Sequence, residues 1–209
     1  KIIGCPEHQR IAAQLADASI TLVKDTQHIL PVNPGQRRRA RLYYIESAPV
    51  SYSSGTDPAR AIVAEELKRA GFVVDVNESY YDLELKESSP WNKFKVMDCP
   101  PVEEFKNKYD IVFVFVHMKG YAQENNMRVR FSAAHSNEFP WWVREVPTAC
   151  VSLNYTNHLF DLPMMQTFIN AYAPTRVCIR AAIEKITGQS EFKGRFNDNV
   201  WCDSWDTRR

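Results

Sequence analysis

Residues 111–116, Ile-Val-Phe-Val-Phe-Val, form an unbroken apolar run behind Asp110. Side chains alternate faces along a strand, so such a run is favourable only where both faces are covered. It therefore reads as the central strand of a sheet with helices on either side. Residues 20–23, 42–45, 72–76, 148–153 and 166–172 read as further strands. Helical segments lie between them. Pro6 opens the first, with Ile11, Ala12, Leu15 and Ala18 at helical spacing. Asp57-Pro58 opens the second, whose apolar positions Ile62, Val63, Leu67 and Ala70 precede a stop at Gly71. Residues 102–109, 140–145 and 175–187 read as three more, and Gly188 ends the last. Residues 29–32 read as extended, 80–91 as a short helix plus loop, and 127–131 as an edge strand or irregular chain. The alternation predicts an α/β fold: a three-layer α/β/α sandwich with a mainly parallel sheet of about six strands.

A chain of 209 residues, 44% hydrophobic, suits one domain over residues 1–209. Residues 192–209 read as an extended C-terminal tail, and its Trp201 and Trp205 call for a packing surface, in this domain or in another. With 26 basic and 25 acidic residues the net charge is +1, which offers no field for nucleic acid or an anionic membrane. The basic run at Arg37, Arg38, Arg39 and Arg41 reads as a solvated turn before a strand. No apolar run reaches the ~18 residues of a spanning helix. Five scattered cysteines without a C-x-x-C pair speak against structural zinc and fit a reducing cytoplasm, although export stays open for a chain cut from a longer one. The five histidines lack metal-ligand spacing, so no metal is expected. No dinucleotide fingerprint, P-loop or G-x-S-x-G elbow is present, and no cofactor is expected.

In open α/β sheets ligands gather at the carboxyl ends of strands. The long polar segment after the central strand, residues 117–128, is the place to look. Its Lys119, Glu124, Asn125 and Arg128 have the donors and acceptors that sugar hydroxyls need, and the segment reads equally as an exposed connection. Trp141 and Trp142 read as core packing or an interdomain contact ahead of direct sugar stacking.

Several blocks, in order along nearly the whole chain, resemble the second domain of glycoside hydrolase family 3, β-N-acetylglucosaminidase-like branch. They are Ser19-Ile20-Thr21-Leu22-Val23-Lys24-Asp25 with Ile29-Leu30-Pro31-Val32, then residues 140–148, PWWVREVPT. Val151-Ser152-Leu153, residues 157–163, residues 167–172 and residues 188–194 complete the set. The resemblance implies an N-terminal (β/α)8 TIM-barrel domain of the same polypeptide as partner, and a carbohydrate substrate. In that family the barrel supplies the aspartate nucleophile, and in this branch also an Asp–His acid/base pair; neither motif occurs here. Retaining hydrolysis needs two carboxyl groups roughly 5 Å apart across the scissile bond. The resemblance thus implies an accessory C-terminal domain of a retaining β-glycosidase, inactive in isolation. In the β-glucosidase branch the second domain contributes an acid/base glutamate from the loop after a central strand. Glu124 falls in that loop, but Asn125 and Met127 stand where the family motif has Gly and Asp. The alternative is a freestanding carbohydrate- or protein-binding module.

Overall fold

The computed structural model describes residues 3–46, 57–77, 100–118, 128–129 and 138–197. Its elements run α1 (Pro6–Ser19), β1 (Thr21–Asp25), β2 (Arg39–Glu46), α2 (Pro58–Arg69), β3 (Val73–Val76), α3 (Val102–Lys108), β4 (Ile111–His117), β5 (Thr148–Ser152), β6 (Thr167–Asn170) and α4 (Arg176–Ile186). They build one six-stranded sheet in the order β1-β6-β5-β4-β2-β3. Strands β3, β2, β4, β5 and β6 pair in parallel, while β1 runs antiparallel to β6. The three-layer, mainly parallel sandwich expected from the sequence is the observed fold.

All seven residues of β4 are buried. The sheet divides the core in two. On one face Leu42, Tyr44, Phe113 and Phe115 meet Val63 and Leu67 of α2 and Ile179 and Ile183 of α4. On the other, Tyr43, Val112, Val114 and Phe168 meet Phe105 of α3 and Trp142. Two covered faces are what make an unbroken apolar strand stable in water.

The helix ends follow from local chemistry. Asp57 caps α2 by accepting a hydrogen bond from the Ala59 amide at 3.1 Å, with Pro58 in the first turn. Thr175 caps α4 through the Cys178 amide at 3.4 Å. Gly188 ends that helix at φ +76°, where an added Cβ would also stand 2.8 Å from Pro31 Cβ. Between α2 and α4 lies Glu66, 1% exposed, bonded to Arg69 at 2.7 Å, Arg176 at 2.9 Å and Arg180 at 3.0 Å. Those three guanidinium groups lock the two helices together.

Two local expectations change. Residues 140–145 form a short 3-10 turn, Trp141–Arg144, in place of an α-helix. Pro147 disfavours helical backbone at Val146, so no longer helix can grow there. The basic run is not merely solvated. Arg39 pairs with Asp110 at 2.6 Å, and Arg41 pairs with Asp75 at 2.9 Å and bonds Asn77 at 2.5 Å, bracing the start of β2 against its neighbours. Residues 29–32 stay out of the sheet, with the Val32 amide bonded to the Ile186 carbonyl at 2.7 Å. Residues 80–91, and 127–131 apart from Arg128 and Val129, lie outside the described residues.

Candidate functional site

From the end of β2 the chain passes through α2 to β3 on one side, whereas from β4 it passes to β5 on the other. Since β2 and β4 are neighbours, the connections leaving their carboxyl ends diverge, and such a switch point is the crevice where doubly wound sheets hold ligands. Five side chains meet there. Tyr44 and Glu46 come from β2, His117 from β4 opposite Glu46, and Asp57 and Arg60 from the start of α2.

Asp57 Oδ2 accepts the Tyr44 hydroxyl at 3.0 Å and the Nδ1–H of His117. That assignment leaves Nε2 as the ring nitrogen that Asp57 does not engage. The Asp57 amide donates to Glu46 Oε2 at 3.3 Å, and Arg60 donates to Glu46 Oε1 at 2.5 Å. The Arg60 guanidinium also lies over the Tyr44 ring, 5.9 Å from its centroid. Burial alone raises the pKa of Asp57. Hydrogen bonds from His117, the Ala59 amide and Tyr44 outweigh that and hold the carboxyl well below the usual range. Burial, then the neighbouring Asp57 charge, pushes the Tyr44 phenol up, so it remains a donor.

This arrangement suits positioning better than acid catalysis. A carboxyl held below its ordinary range has no proton to give near neutrality. Glu46 is tied to Arg60 in a pair whose side chains are 10% and 12% exposed. The crevice therefore has a polar, rigid wall ending in an imidazole. A second Ser–His contact, Ser152 Oγ to His158 Nδ1 at 2.8 Å, is no nucleophile pair. The Ser152 hydroxyl is already donated to the Tyr155 carbonyl at 2.6 Å, and both residues are at most 1% exposed. Burial pushes the Cys150 thiol far up, which keeps it inert.

The residues singled out from sequence fare differently. Lys119, Glu124 and Asn125 lie outside the described residues, as do Trp201 and Trp205. Arg128 is engaged by Asp161, Nε to Oδ1 at 2.7 Å, and the same carboxylate accepts the Val129 amide at 2.9 Å. Trp142 is 0% exposed and stacks on Tyr43 with centroids 3.9 Å apart. Its ring belongs to this domain's own core and offers no surface to another. Trp141 is half-buried beside it.

No family model matches the chain. A β-N-acetylglucosaminidase/β-glucosidase of Cellulomonas fimi is 26% identical over 206 residues, which is 99% of this chain and 35% of that protein. The solved β-glucoside phosphorylase BglX superposes with a TM-score of 0.78 at 27% identity, over 99% of this chain and 34% of the other. The family 3 β-N-acetylglucosaminidase of Paenibacillus sp. shares the fold, with a TM-score of 0.61 at 14% identity over 92% of this chain and 32% of its own. The chain resembles the C-terminal α/β domain of glycoside hydrolase family 3. It spans about a third of the length of the proteins it matches.

In this chain, the crevice residues carried faint sequence signals. Asp57-Pro58 stood out only as a helix start, although an acid in that place also lies at the mouth of the sheet. His117 is the residue that ends the apolar run, a polar side chain at the carboxyl end of the central strand. Tyr44 and Glu46 close β2 in the same way. Reading the last residue of each strand together would have assembled most of the cluster.

Proposed function

We propose that this chain is the accessory C-terminal domain of a retaining β-glycosidase, β-N-acetylhexosaminidase-like, which caps and shapes the sugar cleft of a catalytic barrel in the same polypeptide. The observation that carries the proposal is one of length: 206 residues here align with about a third of an enzyme named for β-N-acetylglucosaminidase and β-glucosidase activity. The crevice supports it. Asp57 is held ionised and Glu46 is neutralised by Arg60, so neither is free to serve as the acid of a hydrolytic pair. What remains is a set of fixed hydrogen-bonding groups of the sort that orients a sugar or the loop covering it. The proposal extends to a reducing compartment, supported by the free thiols of Cys5, Cys150 and Cys178.

The test compares the 209-residue chain with the longer polypeptide that would contain it. Each is given a chromogenic β-N-acetylglucosaminide and β-glucoside, with and without inorganic phosphate. The chain alone gives no turnover, and the longer polypeptide turns over at least one substrate. Turnover by the isolated chain would refute the reading, and a rate dependent on phosphate would move it to phosphorolysis.

A further inference from the structure

Helix α1 packs against α4 but leaves most of its surface uncovered. Of its 14 residues only Ala16 is buried, and residues 6–15 are all exposed. Its anchors sit in or just after its last turn. Ala16 and the following Ile20 enter the core, while Asp17 accepts from Lys185 at 2.9 Å and Lys193 at 2.6 Å. The start has no such hold. Cys5 gives no side-chain cap, and an open groove of about 650 Å³ is lined by His8, Ala12 and Ala13 from α1 and Arg176 and Arg180 from α4. A helix of this length is marginal in water when its apolar side has no partner.

That apolar side exists. Ile11 and Leu15, one turn apart on the same face, are 40% and 65% exposed, and Ile3 just before the helix is 94% exposed. Three of the seven large apolar side chains exposed among the described residues thus lie within thirteen positions. Clustered exposed aliphatics mark a contact surface, whereas single ones do not. Charge does not favour a nucleic acid or an anionic surface, since Arg10 is the one Lys or Arg within the helix and Glu7 and Asp17 offset it.

We infer that the outer face of α1, Ile11 and Leu15 with Ile3, is the seat for the remainder of the longer glycosidase polypeptide, an inference that rests on the proposed function above. In the matched proteins about two thirds of the chain lies outside the matched part. A body of that size held on one rigid helix needs an apolar contact on the scale of an interdomain interface. Seating it on α1 supplies the missing packing partner for the first turns of the helix.

Backbone hydrogen exchange tests this in the 209-residue chain and in the longer polypeptide. Amides of residues 10–15 exchange at least about tenfold more slowly in the longer polypeptide. Leu15→Lys, at a position already exposed here, leaves the isolated chain's unfolding unchanged. In the longer polypeptide it splits one calorimetric transition into two, and Leu15→Met keeps the single transition. Equal exchange in both proteins overturns the inference. So does protection in the isolated chain that rises with concentration alongside a dimer in sedimentation, because the occupant is then a second copy. Exchange does not depend on turnover. Slow exchange in a longer polypeptide without glycosidase activity therefore keeps the seat and removes the proposed function.

Discussion

Asp57, which caps α2, accepts the ring proton of His117, the last residue of β4. One carboxylate thereby fixes a helix start, an imidazole tautomer and, through Tyr44, the end of β2. Asp57→Ala removes the cap and leaves two buried donors without their acceptor, at a combined cost on the order of 3 kcal/mol in urea unfolding. Asp57→Asn keeps a capping oxygen and costs less. The sign of the pH effect follows from the lowered folded-state pKa. Its stabilisation is present above the unfolded-state value, ordinarily 3.8, and is lost as pH falls toward the folded value. Unfolding of Asp57→Asn is accordingly flatter than wild type on the acid side.

Glu66 gives a second acid-sensitive contribution. Arg180 and then Arg176 and Arg69, against the opposing cost of burial, bring its pKa from an ordinary 4.5 down to about 2. The stabilisation is complete above pH 4.5 and is lost as pH falls through about 2. The three arginines are 44–49% exposed, so screening trims the effect to about 2 kcal/mol at neutral pH. Chemical denaturation of Glu66→Gln from pH 2 to 7 measures it. A variant as stable as wild type at pH 7 would show that α2 and α4 hold together without this carboxylate.

Gly194 is a steric requirement. A Cβ there would stand 2.2 Å from Thr21 Oγ1, 2.4 Å from the Ser19 carbonyl and 2.8 Å from the Ile20 carbonyl. Two of those atoms are backbone and cannot swing aside. Gly194→Ala is expected to cost about 1–3 kcal/mol or to peel the tail away from the start of β1. Limited proteolysis after Glu191 reports the peeling, and a tail as resistant as wild type would count against it.

Trp142 is a packing residue. Trp142→Ala opens a cavity under Tyr43 and costs about 3–5 kcal/mol. The loss is the same in the isolated chain and in the longer polypeptide, because the ring is already fully buried within this chain. A loss confined to the longer polypeptide would return Trp142 to the interdomain contact expected of it from sequence.

The fold was legible because its signals are local and repeated. The apolar run of β4 demands two covered faces, and Gly71, Gly188 and the Asp57-Pro58 pair mark helix ends through backbone chemistry alone. The short turn at Trp141 was harder, since only tertiary packing says whether two tryptophans point inward. The crevice was harder still. Tyr44, Asp57 and His117 are separated by 13 and 60 positions and meet only once β2 and β4 pair in register. Arg128 was named for a sugar, and its guanidinium also pairs with Asp161, a contact that no spacing rule reveals. The exposed face of α1 was written in the sequence as ordinary amphipathic spacing, which does not say whether the apolar side is turned toward the core.

Asp17 joins Lys185 near the end of α4 and Lys193 in the segment beyond it. Inlet and outlet of the sheet therefore share one corner. Chain entering beside Asp17 and chain leaving beside Lys193 can therefore be joined by a short bridge without stretching the sheet between them.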